Sequence, residues 1–169
     1  MSGEYREHGN AASTRLTTCR YGAPAFPFTR RSRKNMVTKD DIEGYLDRLA
    51  SEGASHTEIQ PGMWIVHPGG SLEADVVVHY SPPVVLLRMN VIDLPADARE
   101  FATLSRRLLQ LNASELVHGS YGIEGDSVVL TEALELAHLD YEEFLASYES
   151  MTLALAAHLR ELSPAREAQ

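Results

Sequence analysis

From residue 36 onward the apolar positions follow two periods, and before it they follow none. Ile42, Tyr45, Leu46 and Leu49 recur at i, i+3, i+4 and i+7, which predicts an amphipathic helix over residues 39 to 51. Thr38 is placed to cap it, with Asp41 at the third helical position in a capping-box arrangement, and Gly53 to end it. The period then changes to two. A strand is expected from Thr57 to His67, interrupted by a turn-like Gln60-Pro61-Gly62. A second runs from Leu72 to Tyr80, with Leu72, Ala74, Val76, Val78 and Tyr80 on one face and Glu73, Asp75 and His79 on the other. A third runs from Val84 to Val91, with Val85, Leu87, Met89 and Val91 inward. The connections Pro68-Gly69-Gly70-Ser71 and Ser81-Pro82-Pro83 are short, so an antiparallel meander follows, apolar on the side that a helix layer covers.

The helical period returns after Pro95, a residue suited to a first helical turn. Ala98, Phe101, Ala102, Leu104, Leu108, Leu109 and Leu111 make this helix apolar over a wide arc. One sheet contact does not use so much surface, and an exposed stripe of that size is unusual on a monomer. A hairpin is expected next, Leu116 to Ile123 and Ser127 to Leu136, turning at Gly125. The last helix has Asp140 as N-cap and Glu143 at N3. Tyr141, Phe144, Leu145, Tyr148, Met151, Thr152, Leu155, Leu159 and Leu162 recur along it, and Pro164 marks its end. The order α-β-β-β-α-β-β-α, with antiparallel strands and flanking helices, is α+β.

The 169 residues suit one domain, over 36–163, with a polar tail at 164–169. No apolar run approaches the ~20 residues of a membrane helix. Cys19 is the only cysteine, so no internal disulfide or cysteine-based zinc site can form, in keeping with a reducing cytoplasm. Charge is divided unevenly. Residues 1–35 carry seven Lys or Arg against Glu4 and Glu7, whereas residues 36–169 carry eight against 22 Asp or Glu. So acidic a domain repels phosphate backbones, which disfavours nucleic acid as its partner. Residues 1–35 lack periodicity and are rich in Gly, Pro, Ser, Thr and Arg, a composition that orders poorly. They read as a disordered basic arm, or as upstream sequence preceding a true start at Met36, with Arg31-Ser32 corresponding to a ribosome-binding AGG-AGT.

Candidate chemistry is scarce. His67 and His79 belong to adjacent strands but far apart along them, and His118, His138 and His158 have no metal-ligand spacing. Gly119, Gly122 and Gly125 are followed by a strand, where a phosphate loop needs a helix. Glu132, Glu135, Glu142 and Glu143 read as a solvated acidic face. Ser120 lacks a nucleophile elbow, and Cys19 lacks a neighbouring base. Arg88 is expected to face Asp75 or Val77 across a hairpin. No catalytic, cofactor or metal site is therefore assigned.

Three loose motifs, in order, carry a family resemblance: Pro61-Gly62-Met63-Trp64, Leu108 to Asn112 at a helix end, and the Gly119 to Val129 hairpin. Over about residues 38 to 162 the chain resembles the YbjN domain, whose fold is that of the class I type III secretion chaperones, the Tir-chaperone (CesT-like) group. The resemblance implies a non-enzymatic, cytoplasmic homodimer, a chaperone or adaptor without cofactor, whose partner is another polypeptide. The alternative is an enzyme or regulator with no identifiable site. The family pairs through its second helix and the neighbouring strand. That assigns the expected dimer interface to Phe101, Leu104, Leu108 and Leu111, with Leu104 and Leu108 favoured as the partner-facing pair.

Overall fold

The computed structural model describes residues 36–70 and 74–162. The expectations for residues 1–35, for Leu72 and Glu73, and for 164–169 lie outside them. Helix α1 spans Lys39–Ser51 and begins with the expected reciprocal cap: Thr38 N–H donates to Asp41 Oδ2 at 2.9 Å, and Asp41 N–H donates to Thr38 Oγ1 at 3.3 Å. Ile42, Leu46 and Leu49 are its buried side chains.

The interruption at Gln60-Pro61-Gly62 is a full reversal of the chain. Gly62 takes φ +80°, which a residue with a Cβ resists, so β1 (Ser55–Gln60) and β2 (Met63–His67) form a hairpin. Strands β3 (Val76–Ser81) and β4 (Val84–Asp93) continue the meander. Helix α2 spans Ala98–Ser114. It starts later than Pro95, because the Asp97 carboxylate accepts from the N–H groups of Arg99 and Glu100 at 2.9 and 3.0 Å. Strands β5 (Ser120–Glu124) and β6 (Ser127–Glu135) form the second hairpin, and α3 (Tyr141–Leu162) closes the described chain.

All six strands belong to one antiparallel sheet in the order β1-β2-β3-β4-β6-β5. The second hairpin therefore joins the meander through β6, with Val84 opposite Glu135 and Asp93 opposite Ser127. One face of the sheet carries Trp64, Val78, Leu87 and Met89, all fully buried. Helices α1 and α3 cover that face and meet through Tyr45, whose ring contacts those of Tyr141 and Phe144. Along α3, Tyr141, Phe144, Tyr148, Met151, Leu155, His158 and Leu162 are buried in a 3-4 repeat that forms one seam against the sheet, with the buried Ser147 beside it. The α+β architecture with an antiparallel sheet and flanking helices is the expected one.

Candidate functional site

The two faces of the sheet differ in kind. On the face away from α1 and α3, Ile65, Val77 and Arg88 stand in one row across β2, β3 and β4. Met63, His79 and Leu86 stand in the next. Ile65, Val77 and Met63 are half-buried, and Leu86 is 36% exposed. Beside them at the sheet edge, the β1 register shifts between Glu58 and Gln60, and Ile59 is 47% exposed. This is a shallow apolar surface with a strand edge at its border, suited to an extended chain and too open to hold a reacting group away from water.

Helix α2 divides its apolar arc between the chain's own core and the surface. Leu108 and Leu111, two of the four residues assigned to the interface, are 4% and 0% exposed in the single chain and belong to its core. Leu104 is half-buried against that core. Of the four residues assigned, only Phe101, at 39%, is exposed. Leu109, outside that set, is 69% exposed. Ala98 to Thr103 are all exposed, so the first turns of α2, before Leu104, face outward.

Two polar clusters were missed in the sequence. Glu132 is not part of the solvated acidic face: it stands opposite Leu87, on the face under the helices, with its side chain 14% exposed. His118 Nδ1 lies 3.3 Å from Glu132 Oε1 and also 3.3 Å from the hydroxyl of the fully buried Ser147. Serine and carboxylate share one ring nitrogen, whereas a hydrolytic triad needs them on opposite nitrogens and the serine open to substrate. Strand alternation through Val128, Leu130, Leu134 and Leu136 places residue 132 inward and was the available signal. The second cluster joins Tyr121 of β5, His158 of α3 and Glu115 at the end of α2. His158 occupies a slot in the α3 seam, which its position in the 3-4 repeat foretells.

Charged pairs sit elsewhere on the surface. Arg88 stands opposite Val77 as expected, but its partner is Glu124 of β5, while Asp75 pairs with His67. His79 faces Met63 at the far end of β2 from His67. Arg107 ties α2 to α3 through Glu161 at 2.6 Å and reaches Glu115 at 3.1 Å, and these two carboxylates hold its pKa above the usual arginine value. Among the described residues no group of three or more His, Cys, Asp or Glu could hold a metal ion, and no helix is long and apolar enough to cross a membrane.

A family model described as CesT_Tir_1 matches residues 35–166. Among solved structures, the chain is similar to one in the heterodimeric ExoU–SpcU complex of the type III secretion system of Pseudomonas aeruginosa. The TM-score is 0.56 at 15% identity, over 70% of this chain and 98% of that one. It is similar to YbjN from E. coli with TM-score 0.54 at 16% identity, over 75% and 94% of the two chains. For a chain of the HopA1–SchA chaperone–effector complex the values are 0.52 and 9%, over 72% and 95%. Identities this low establish the fold alone. Comparison with curated proteins found no match. The family match spans most of the sequence and agrees with the sheet and the helices: the chain belongs to the CesT_Tir_1 family, and as a member of it is a chaperone-like protein, not an enzyme.

Proposed function

We propose that the protein is a cytoplasmic homodimeric adaptor that holds an extended segment of a partner polypeptide. The observation that carries this reading is the sheet face that neither of the helices α1 and α3 covers, where Met63, Ile65, Val77 and Leu86 form an apolar surface bordered by β1. The solved complexes of similar fold support the polypeptide-partner half of this reading, since ExoU–SpcU is a heterodimer and HopA1–SchA is described as a chaperone–effector complex. Pairing of two copies uses the outer side of α2, through Phe101 and Leu109. Burying such side chains is worth roughly 1.5–3 kcal/mol each. Site-specific photo-cross-linking in cells tests both halves. A benzophenone side chain at Leu86 is expected to capture a distinct polypeptide, and one at Leu109 a second copy of the chain. A Leu86 probe that captures nothing, or that captures only the chain itself, contradicts the adaptor reading.

A further inference from the structure

The sheet face away from α1 and α3 has a charge pattern as well as an apolar centre. Arg88 is the only Lys or Arg in the six strands, and Glu124 already answers it. The carboxylates of this face stand at the two ends of the strands. At one end Glu124, Ser127 and Asp93 form a row across β5, β6 and β4. At the other end Glu135 stands opposite Val84. Between these ends, on β2, β3 and β4, lie Met63, Ile65, Val77 and Leu86. Glu135 is exposed, and among the described residues no cation and no hydrogen-bond donor meets its side chain. It stands on the diagonal from Leu86, roughly 7–8 Å away.

We infer that this face takes a cationic segment: an extended partner chain with a basic residue two positions from an apolar one, the apolar side chain on Leu86 and the basic one on Glu135. The inference rests on the polypeptide-binding reading and names the chemistry of the partner. An extended chain turns every second side chain to one side, and two residues span about 6.4–6.8 Å, which matches the diagonal from Leu86 to Glu135. Charge decides the sign. A carboxylate on the partner would find one cation on the face and would have to take it from Glu124. That exchanges one surface pair for another and leaves Glu124 beside a like charge. A lysine or arginine gains Glu135 without breaking any pair. The rest of the domain acts in the same direction, since residues 36–169 carry eight Lys or Arg against 22 Asp or Glu. A domain of that sign speeds the encounter with cationic chains. The apolar centre supplies most of the affinity, because an exposed ion pair contributes little by itself. Glu135 sets the sign and the register of the segment.

The test is a nuclear magnetic resonance titration of the isotope-labelled full chain with two synthetic peptides, Lys-Thr-Leu-Thr-Val-Thr-Lys and its counterpart with glutamate at both ends. The lysine peptide is expected to move the amides of Val84, Leu86, Ala133 and Glu135. It should bind roughly tenfold more tightly than the glutamate peptide, with the gap narrowing as salt is added. Glu135→Gln is expected to weaken the lysine peptide about two- to fivefold, and Glu135→Lys to close the gap between the two peptides. Glu149→Gln removes the same charge from an exposed position on α3 and is expected to leave both affinities unchanged. Equal affinities of the two peptides at this face overturn the inference and leave the polypeptide-binding reading standing. A lysine peptide weakened no more by Glu135→Gln than by Glu149→Gln also overturns it, because the attraction then belongs to the domain as a whole. Peptides that move no amide of this face overturn both the inference and the polypeptide-binding reading.

Discussion

The phenolic oxygen of Tyr121 stands 2.9 Å from Nδ1 of His158, and Nε2 of the same ring stands 3.3 Å from Glu115. One buried imidazole therefore joins the outer strand, the last helix and the end of α2. Tyr121→Phe removes the hydroxyl and leaves a buried ring nitrogen unanswered. The expected cost is about 1–3 kcal/mol, read as a lower urea midpoint with an unchanged slope. An unchanged midpoint would show that the contact contributes nothing net.

Burial pushes the phenols of Tyr121 and Tyr148 up to about 12 from an ordinary value of 10.0, and at Tyr121 the nearby Glu115 carboxylate adds to the rise. The folded protein keeps both hydroxyls neutral where the unfolded chain ionises them. Stability from this source is full below pH 10 and lost as the pH climbs from 10 towards 12. Urea midpoints measured with rising pH should hold steady and then fall across that window. Phenolate absorbance from these two rings should appear only near its upper end or with unfolding.

Leu108 and Leu109 are neighbours in sequence with opposite roles. Leu108→Ala or Leu111→Ala opens a cavity in the core and should cost about 2–5 kcal/mol each. Leu109→Ala should stay within about 0.5 kcal/mol in the fold of a single chain, since its side chain is already 69% exposed. Thermal melts of the three variants at concentrations low enough for single chains check the order, and a Leu109 variant as damaged there as Leu108→Ala would contradict it.

Arg88 and Glu124 reach each other across β6, at 39% and 58% side-chain exposure. A double-mutant cycle with alanine at both positions should give a coupling of only ~0.2–1 kcal/mol, shrinking as salt is added. A larger, salt-insensitive coupling would mean that the open face excludes water there.

Local features were legible and non-local ones were not. The Thr38 cap, the α1 stripe and the inward alternation of Val85, Leu87 and Met89 depend on neighbours within a few residues. The turn at Pro61-Gly62 was visible as a turn, but whether a turn bends or reverses a strand depends on which segments pair, and that is settled by the whole sheet. The insertion of β6 beside β4 is a pairing across some forty residues of sequence, which is why Arg88 found Glu124 instead of Asp75. Glu132 was assigned to solvent on its charge, although its place in the alternation was already inward. On α2, a wide apolar arc could not by itself separate the leucines that meet the sheet from the one that faces outward. That division required the docking of the helix against β5.

The pairing of two copies through α2 is tested most directly by the mass of the full chain from light scattering at micromolar concentration. The expected value is twice 18.7 kDa, falling to one chain for the Phe101→Asp, Leu109→Asp double variant with its circular dichroism spectrum unchanged. A wild-type mass of a single chain, or a double variant that still pairs, contradicts the account.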